Sequence, residues 1–556
     1  MVKKIIILAL IFFGIFLRLF QLDQIPGGLF ADEISLAVNT KTITENGIDE
    51  YGRKFPYVFE SVSDYKMPGY IYLSSIVYKF LGPQIITIKL ISAFSAIISI
   101  FLIGYFAKTL FPKKDMLPWY VSLVLSLSLF HIHFSRIAYE SMLANMFLLL
   151  YLISFIKLLR KQNFLFWIVL AALGIIGATS TYPAPRFIIP IFTVLVGLLV
   201  FITKPKDITT KKTLKTVGIL LGITLISFIP AFLNSNVDKR PLSYILLGEE
   251  GSPLKIAFSK FQKTITSWMY LWNLEFLFAK GDTFAYRHGT RESGIFLGIF
   301  ILPFVTGAIW FIRKFSKTSF SLHYLLIFTL LAGLPSALTS DVPYGPRIVP
   351  MMITYSVVIG LGLYYLARWL ESKKQYFKIS IWFIVLGTLF YQLFWFYDVY
   401  FIHFKRSSLY EFPKVSKDMG LFIRSYLGKN PDTDIYFLNG DSCQNWGHED
   451  LQFWYFADLP NKEMIDWNNA FREVRYRHKG SPFDAYDDAV QPMFQAGRIL
   501  MNPTYEVMGQ APSGTLLVRC GIHLENIGKE SEEIIKVIYR FEKEQLDPYY
   551  VISLKK

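Results

Sequence analysis

The chain has 556 residues, of which 53% are hydrophobic and 18% are charged. Soluble domains average about 25% charged residues, and apolar runs long enough to cross a bilayer recur from Ile5 to Tyr400, so the composition excludes an ordinary soluble protein and predicts an α-helical polytopic membrane protein. The net charge of +15 does not indicate a nucleic-acid partner, because the basic residues do not form one face of a soluble domain.

The first apolar run, Ile5–Leu22, follows two lysines and has the charge pattern of a signal peptide. No small-residue cleavage site follows it, and it is longer than the usual apolar region of a signal, so we expect a retained membrane anchor. Ten further spans are predicted, which makes about eleven in all: Gln84–Ala107, Leu117–Phe130, Met142–Ile156, Phe164–Thr181, Phe187–Ile202, Thr216–Leu233, Gly294–Phe311, Leu322–Leu338, Ile348–Ala367 and Ile379–Tyr400.

Basic residues concentrate in alternate loops between these spans. Cytoplasmic loops carry an excess of Lys and Arg, so we predict a multi-pass cell-membrane protein with a cytoplasmic N-terminus and an extracytoplasmic C-terminal segment. The net positive charge is therefore largely a topology signal. The basic residues of the predicted cytoplasmic loops are Lys108, Lys113, Lys114, Lys157, Arg160, Lys161, Lys204, Lys206, Lys211, Lys212, Lys215, Arg313, Lys314, Lys317, Arg368, Lys373, Lys374 and Lys378.

The first outer loop, residues 23–83, carries the adjacent carboxylates Asp32 and Glu33 shortly after the first span. A solvated pair of loop acids is the simpler interpretation of this dipeptide taken alone. The same loop contains Asp64–Leu73, whose apolar and aromatic residues flank Lys66 and are typical of a short amphipathic element lying at the membrane interface. We therefore expect a cation and two carboxylates at one membrane surface.

Three short outer loops carry one arginine each: Arg136, Arg186 and Arg347. The last two lie in similar Tyr…Pro-Arg segments that begin at Tyr182 and Tyr344. An isolated arginine commonly anchors a helix end by snorkelling. Three of them on the face that bears the carboxylate pair favour a shared anionic ligand.

The second long outer loop, residues 234–293, contains an apolar and aromatic stretch, Leu254–Phe278, which we also expect to rest on the membrane. It ends in a polar cluster that includes Asp282, Arg287 and His288. This cluster either closes a site or caps a loop.

From about Ser407 onward, acidic, polar, Gly and Pro residues return and no further span follows. We therefore predict a transmembrane domain over residues 1–403 and a soluble extracytoplasmic α/β domain over residues 404–556, which is long enough to bury its own core. Its predicted strands are Asp434–Leu438 and Gly514–Arg519, with helical patterns between them and in Ser531–Phe541.

The two cysteines of the chain, Cys443 and Cys520, both fall in this C-terminal segment. They form either a disulfide in an oxidising compartment or two core thiols. His131 and His133 are two residues apart, but no third ligand has suitable spacing, so interfacial histidines are favoured over a metal site.

The outward-facing groups together indicate a chemistry. A carboxylate can accept the proton of an attacking hydroxyl or amine. Clustered Arg and Lys can bind a phosphate and stabilise the charge that develops on it as it leaves. With interfacial aromatics to guide a lipid tail, these are the parts needed to move a sugar from a lipid-phosphate donor to an acceptor.

The chain resembles the GT-C superfamily of integral-membrane glycosyltransferases. The likeness is to the bacterial branch that includes protein O-mannosyltransferase-like and aminoarabinose transferase-like enzymes (glycosyltransferase family 39-like), and it covers most of residues 1–400. It rests on Arg18, Asp32-Glu33, Lys66-Met67-Pro68-Gly69-Tyr70, Ser135-Arg136 with Glu140, Tyr182-Pro183-Ala184-Pro185-Arg186, Gly281-Asp282 with Arg287-His288, and Pro346-Arg347.

The resemblance implies an inverting transfer from a polyprenyl-phosphate sugar, without a nucleotide-sugar donor, a cofactor or a metal. It implies that an acid of the first outer loop is the base. We assign this role to Asp32, with Glu33 binding the acceptor or orienting the site, although either could be the base. The expected donor-phosphate ligands are Lys66, Arg136, Arg186 and Arg347, and the expected pocket residues are Tyr182, Tyr344, Asp282, Arg287 and His288.

Several roles stay open at this point. Arg18 either pairs with a loop carboxylate or snorkels at its helix end. Glu140 lies four residues after Arg136, so on a helix the two would pair structurally. Lys89 lies a few residues into the second span, where it can snorkel outward. The motif at Lys66 reads Lys-Met-Pro-Gly-Tyr where relatives often have a Lys-Pro-Pro-like sequence, which leaves its local backbone open.

Two functions of other classes compete with the transferase. A lipid-linked-sugar transporter or flippase would place charges in mid-span and repeat interrupted helices in inverted halves, whereas the ionisable groups here gather at one surface. A non-catalytic membrane scaffold would not need four cations and a carboxylate pair on one face. The partners expected for a transferase are the lipid bilayer, the polyprenyl-phosphate-linked sugar and an acceptor protein, lipid or glycan.

Overall fold

The computed structural model describes residues 2–61, 64–160, 163–205, 207–232, 253–315, 320–339, 344–438, 449–477, 493–503, 505–520, 531–538 and 550–556. The chain divides into two compact units. The helical unit comprises Met1–Leu22 and Leu90–Phe404, and the mixed unit comprises Asp23–Lys89 and Lys405–Lys556.

Helices make up most of the described residues. Long apolar runs favour them because a helix satisfies every backbone polar group internally, where a bilayer offers no water. The helices are α1 (Val2–Leu19), α2 (Ala31–Asn46), α3 (Pro68–Leu81), α4 (Ile85–Leu110), α5 (Leu117–Ser126), α6 (Leu129–Ser135), α7 (Glu140–Leu159), α8 (Phe164–Thr179), α9 (Ala184–Thr203), α10 (Thr210–Phe232), α11 (Pro253–Tyr270), α12 (Ile301–Phe315), α13 (Phe320–Ala337), α14 (Gly345–Ile348), α15 (Met351–Glu371), α16 (Gln375–Tyr397), α17 (Phe404–Ser407), α18 (Lys414–Leu427), α19 (Glu449–Phe456), α20 (Asn461–Arg477) and α21 (Tyr505–Gly509).

The predicted class, an α-helical polytopic membrane protein, is confirmed. Ten of the eleven predicted spans fall almost entirely on helices, with Leu117–Phe130 on the pair α5–α6, and Gly294–Phe311 is helical from Ile301 onward. Among the described residues, seven helices are long and apolar enough to cross a membrane, and α5–α6 counts as an eighth if the bent pair is one span. Of the other three predicted spans, α1 carries three basic residues, and α8 and α12 have only 16 and 15 residues.

The predicted start of the span Gly294–Phe311 is wrong. A loop is followed by a single turn of 3₁₀ helix at Gly298–Phe300, and α12 begins only at Ile301. The backbone of the loop is used elsewhere, because Phe296 N donates to Leu277 O over 2.9 Å. This tertiary hydrogen bond replaces the helical one that hydropathy alone predicts.

The predicted span Leu117–Phe130 is two helices, α5 and α6, that meet at an angle of 62°. Leu127 and Ser128 separate the two helices, and Ser128 is the N-cap of α6. Its hydroxyl accepts a hydrogen bond from His131 N and so satisfies an amide that lacks a helical partner. The same hydroxyl donates to Ile295 O over 3.0 Å. The break therefore places α6 and the residues after it at a fixed angle to α5.

Helix α15, which follows the Pro-Arg motif at Arg347, is packed closely against α12. A Cβ atom added at Gly362 of α15 would lie 1.7 Å from the carbonyl oxygen of Pro303. Only glycine permits this approach, which is the usual role of small residues at helix contacts in membranes. The contact gives α15 a firm position.

The mixed unit begins with the first outer loop. It contains α2, a hairpin of β1 (Phe59–Ser61) and β2 (Asp64–Lys66), and then α3. The predicted amphipathic element therefore consists of β2 and the first half of α3. Its apolar residues Leu73, Ile76 and Phe80 are exposed along α3 at the spacing of one helix face.

The C-terminal part of the mixed unit contains a sheet of six strands in the order β4-β5-β3-β6-β8-β7. The central strands β5, β3 and β6 are parallel, and the outer pairs are antiparallel. Both predicted strands are confirmed as β3 and β6. The strands are β3 (Ile435–Leu438), β4 (Phe494–Ala496), β5 (Ile499–Met501), β6 (Leu516–Cys520), β7 (Glu532–Ile538) and β8 (Tyr550–Lys555).

The helix predicted at Ser531–Phe541 is wrong over the residues that the structure describes, because Glu532–Ile538 is the strand β7 and pairs antiparallel with β8. Residues 539–541 lie outside the described residues. Four of the seven residues of β7 are Ile or Val, and β-branched side chains favour the extended chain. A buried ion pair also joins β7 to β6, which lies on the other side of β8 in the sheet. Arg519 Nη2 donates to Glu532 Oε1 over 2.8 Å, with both side chains 5% exposed.

Polar contacts hold the first outer loop to the C-terminal part of this unit. Gln452 donates to Leu29 O over 2.9 Å, and Asn468 donates to Glu50 O over 3.2 Å. The loop is thus part of the same compact unit as the C-terminal segment. That residues 404–556 fold as a domain by themselves stays a prediction.

Candidate active site

Glu33 is folded back onto the start of its own helix. Its Oε2 accepts a hydrogen bond from Phe30 N over 3.1 Å, and its side chain is fully buried. This is the acidic half of a capping box, in which a residue at the third helical position satisfies the amide before the helix. A carboxylate at this end of a helix also interacts favourably with the helix dipole.

Asp32 precedes Glu33 but has a different environment. Its side chain is 33% exposed, and its Oδ1 is in contact with Nζ of Lys66, whose side chain is only 8% exposed. Of the two acids, Asp32 therefore has the carboxylate that solvent can reach. The structure brings together two residues that lie 34 positions apart in the sequence.

The backbone around Lys66 is well defined by the two elements that flank it. Lys66 ends β2, Met67 is the extended N-cap of α3, and Pro68 occupies the first helical turn. Proline is favoured there because its missing N–H would have no helical partner. The Met67 that distinguishes this motif from its relatives is thus a buried cap residue.

One hydrogen bond ties α3 to α2 in this loop. The hydroxyl of Tyr78 in α3 donates to Glu45 of α2 over 2.6 Å. Burial, with this hydrogen bond, raises the pKa of Tyr78 well above its usual value near 10, so the phenol remains a donor. Lys41, four residues before Glu45 in α2, also donates to it over 3.1 Å. The contact between Tyr78 and Glu45 thus helps to position α3, and hence Lys66, relative to α2 and Asp32.

Lys89 does not snorkel, contrary to the expectation from its place in the second span. It is fully buried, and its Nζ donates to Pro26 O over 2.8 Å. Pro26 belongs to the loop that leads into α2. Lys89 therefore anchors that loop.

Arg18 does not snorkel either, because it is fully buried. Its Nη1 donates to Gly14 O and Ser126 O, and its Nη2 donates to Leu125 O and lies 3.0 Å from His131 Nδ1. Leu125 and Ser126 are the last residues of α5, where helix carbonyls lack helical partners and carry partial negative charge. Arg18 thus stabilises the break between α5 and α6.

Arg136, at the end of α6, binds backbone carbonyls at the end of α1, whereas Arg18 of α1 binds those at the end of α5. It is fully buried, and its Nη1 and Nη2 donate to Leu17 O over 2.6 Å and to Gln21 O over 3.0 Å, at the end of α1. Its guanidinium carbon also lies 5.2 Å from the ring centroid of Phe401 and 5.6 Å from that of Tyr400, within the range of a cation–π contact.

Arg136 and Glu140 were expected to pair as residues four apart on one helix, but they do not lie on one helix. Arg136 is the C-cap of α6, and Glu140 is the first residue of α7. The helix is interrupted between them, so a spacing of four does not give the neighbouring positions that it gives on one continuous helix.

The Tyr…Pro-Arg segment at Tyr182 forms the turn between α8 and α9. Arg186 is half-buried in the first turn of α9, and its Nε donates to Thr179 O over 3.0 Å, at the end of α8. Tyr182 is also half-buried. The arginine thus helps to fix the turn that carries the aromatic ring.

The polar cluster of the second long outer loop is organised around Asp282, whose side chain is fully buried. Its Oδ1 accepts from Phe284 N over 2.9 Å, and its Oδ2 accepts from Gly345 N over 2.8 Å. The same Oδ2 lies 2.9 Å from Nδ1 of the buried His288. One carboxylate therefore connects the loop with the start of α14.

A second set of contacts leads from His288 to Arg347. The ring of Tyr344 meets that of His288 edge to face, with centroids 4.8 Å apart. The guanidinium carbon of Arg347 lies 4.4 Å from the centroid of the Tyr344 ring. The predicted pocket residues Asp282, His288 and Tyr344 are thus brought together with Arg347, a predicted phosphate ligand.

Arg287 and His133 complete this cluster. The carbonyl of Arg287 lies 3.1 Å from His133 Nε2, and the hydroxyl of Tyr400 lies 3.2 Å from His133 Nδ1. Sequence reasoning treated His133 as an interfacial residue and did not find this role, since no spacing in the sequence indicates it. His133 and His288 both line a cavity of about 10 Å³ between α6 and this loop.

The predictions that concern metals and disulfides stay predictions. Among the described residues, no three His, Cys, Asp or Glu side chains are grouped as a metal site. Cys443 lies outside the described residues, so its pairing with Cys520 stays a prediction.

No protein-family model and no curated protein matches the chain. Among solved structures, ArnT from Cupriavidus metallidurans bound to undecaprenyl phosphate is similar with a TM-score of 0.54 and 11% identity, over 99% of this chain and 97% of that one. The Archaeoglobus fulgidus oligosaccharyltransferase in the apo form has a TM-score of 0.50 and 13% identity, over 81% of this chain.

The chain has the GT-C glycosyltransferase fold. It spans 64% of the length of the archaeal oligosaccharyltransferase and almost all of ArnT. The predicted resemblance to GT-C enzymes, with helical spans followed by a C-terminal domain, is therefore confirmed at the level of the fold.

Proposed function

We propose that this chain is a membrane glycosyltransferase that moves a sugar from a polyprenyl-phosphate donor to an acceptor on the extracytoplasmic face, with inversion at the anomeric carbon. The observation that carries the proposal is the contact between Asp32 and Lys66, an accessible carboxylate beside a buried cation in a chain with the GT-C fold. ArnT, which has the same fold, is bound to undecaprenyl phosphate, and such a lipid is the leaving group proposed here.

In this mechanism Asp32 is the general base. Its carboxylate accepts the proton of the acceptor hydroxyl or amine as that group attacks the anomeric carbon. The bond from that carbon to the phosphate oxygen breaks, and its electron pair leaves with the polyprenyl phosphate. A single displacement from the opposite side inverts the configuration. A positioned base typically contributes about 10²- to 10⁴-fold to the rate.

The different environments of the two acids support this assignment. Glu33 is buried and accepts the amide of Phe30, so moving it to meet an acceptor would leave that amide without its partner. Asp32 is exposed enough to receive a proton from a bound acceptor. Glu33 is accordingly proposed to orient the start of α2, and Asp32 to react.

The donor phosphate is proposed to be held by Lys66, Arg136, Arg186 and Arg347, since cations stabilise the charge that grows on a leaving phosphate. Arg136 already donates to two carbonyls, so its proposed contribution is mainly its charge. Tyr182 and Tyr344 are proposed to line the pocket, with Asp282, Arg287 and His288 beside them. The reaction as written requires no metal or cofactor.

The proposal is tested with purified protein and a labelled undecaprenyl-phosphate sugar. Wild-type protein is expected to transfer or slowly hydrolyse the sugar. Asp32→Asn keeps the shape of the side chain but removes the base, so turnover should fall about a hundredfold or more, while binding of unlabelled undecaprenyl phosphate should remain.

The matched control is Asp115→Asn. Asp115 is 85% exposed and pairs with Lys108, 2.8 Å away, in a loop predicted to be cytoplasmic, so this variant also loses an Asp–Lys contact but should keep full turnover. Unchanged turnover in Asp32→Asn would remove Asp32 from the mechanism. Movement of the labelled lipid across a proteoliposome membrane, with no sugar released, would instead establish the transporter alternative.

A further inference from the structure

We infer that Asp282 and His288 form a positioning pair that holds Arg347 in place for the donor phosphate. This inference rests on the proposed function, because it assigns the pair to the phosphate end of that site. Neither side chain of the pair is exposed, so the pair acts through Arg347 rather than by touching the donor.

The first connection runs through the backbone. Asp282 Oδ2 accepts the amide of Gly345, the first residue of α14, and Arg347 is the third residue of that short helix. The approach requires glycine, since a Cβ atom at Gly345 would lie 3.2 Å from Asp282 Oδ2 and 2.9 Å from the ring of Phe134. The carboxylate thus fixes the backbone two residues before the arginine.

The second connection runs through side chains. Asp282 lies 2.9 Å from His288 Nδ1, the rings of His288 and Tyr344 meet with centroids 4.8 Å apart, and the Arg347 guanidinium lies over Tyr344. On its other side, His288 stacks on Phe284 with centroids 5.9 Å apart. The histidine is therefore held between two rings, one of which is the Tyr344 ring that lies under Arg347.

Both connections start at one carboxylate and end on the segment Tyr344–Arg347, which distinguishes them from ordinary loop packing. The amide contact sets where the helix begins, and the ring contact sets the surface on which the guanidinium rests. An arginine side chain has several rotatable bonds, and fixing them in advance lowers the entropy lost when a phosphate binds. Arg347 is half-buried, so it still has a surface that a ligand can reach.

The test measures binding of undecaprenyl phosphate to the full-length protein in a double-mutant cycle. Arg347→Ala should weaken binding about tenfold, the typical value of one hydrogen bond to a charged group. Asp282→Asn preserves the size of the side chain but replaces one oxygen with an NH₂ group, so it cannot accept from both Phe284 N and Gly345 N. It should weaken binding by a similar factor, and the double variant should be no weaker than Arg347→Ala alone.

A second variant keeps the inference testable if Asp282→Asn does not fold. His288→Phe retains a ring against Tyr344 and Phe284 but loses the contact with Asp282, and its effect should also disappear in the Arg347→Ala background. The matched control is Lys280→Ala. Lys280 lies two residues before Asp282 and makes an exposed ion pair with Glu275, 2.7 Å away, so this variant should bind like wild type in both backgrounds.

The outcomes separate this inference from the proposed function. Coupled losses of binding in a protein without transferase activity would overturn the proposed function but keep the positioning pair. A second outcome is that wild-type protein transfers sugar, but the losses of binding in Asp282→Asn and Arg347→Ala multiply in the double variant. This would overturn the positioning pair alone, since a purely structural role of Asp282 would not depend on Arg347. If wild-type protein does not bind undecaprenyl phosphate, both are overturned.

Discussion

Three fully buried cations of this chain, Arg18, Arg136 and Lys89, donate to backbone carbonyls. A charge in a bilayer is costly unless it has a partner, and the carbonyls at a helix end offer one because they have no helical donor. The sequence shows that these residues are charged and lie near span ends. It does not show that they face inward, because that depends on which helix lies alongside.

The role of Lys89 can be tested by stability. Lys89→Met removes the donor to Pro26 O and leaves a buried carbonyl with one partner fewer, which should cost about 1–3 kcal/mol. The expected result is a lower melting temperature in detergent. Lys79→Met, which changes an exposed lysine of α3, is the control and should melt like wild type. An unaffected Lys89→Met would mean that the contact with Pro26 contributes little.

At the scale of elements, two helices and a hairpin create the accessible carboxylate. The capping box places Glu33 inward and leaves Asp32 outward, and the end of β2 brings Lys66 to it. The adjacent acids and the Lys-Met-Pro-Gly-Tyr motif were recognisable in the sequence. Their contact was not, because 34 residues separate them and no local pattern reports how α2, β2 and α3 pack together.

The hydrogen bond from Tyr78 to Glu45 is expected to hold α3 against α2. Tyr78→Phe should lower stability by about 1 kcal/mol near neutral pH, since Glu45 is partly exposed. Because the pKa of Tyr78 is raised in the folded protein, this contribution is complete below the unfolded pKa near 10 and is lost as the pH rises above it.

The measurement is the difference in melting temperature between wild type and Tyr78→Phe from about pH 8 to about pH 11. This difference should shrink with rising pH. The control is Tyr376→Phe, which changes a tyrosine that is 68% exposed and should show no such trend. A difference that stays constant across this range would show that the phenol does not titrate as its burial indicates.

At the scale of the whole molecule, alternating loop charge predicts which face each site residue occupies. This can be tested in a variant that lacks both natural cysteines, Cys443 and Cys520. Lys280→Cys, on a loop predicted to be outside, should react with a membrane-impermeant maleimide in intact cells. Lys113→Cys, on a loop predicted to be cytoplasmic, should react only after permeabilisation. Both positions are exposed, so the reverse pattern would overturn the orientation and with it the extracytoplasmic reaction.

The failed predictions show where local pattern is insufficient. The apolar run at Gly294–Phe311 reads as a span from its first residue, yet Phe296 bonds to Leu277 instead of joining the helix. A helix was predicted over Glu532–Ile538, but this segment is a strand because it pairs with β8. In both cases a partner distant in sequence supplies the hydrogen bonds that decide the structure.

The sequence by itself determined the membrane class and where most of the apolar helices lie, and it supplied the candidate residues from which the proposed site is built. These follow from properties that each segment carries alone, such as hydropathy, charge and short motifs. Only the tertiary structure decided that Lys66 lies against Asp32, and that Asp282 connects through Gly345 and His288 to Arg347. Such contacts join segments far apart along the chain, and the packing of helices, rather than any local preference, sets their distances.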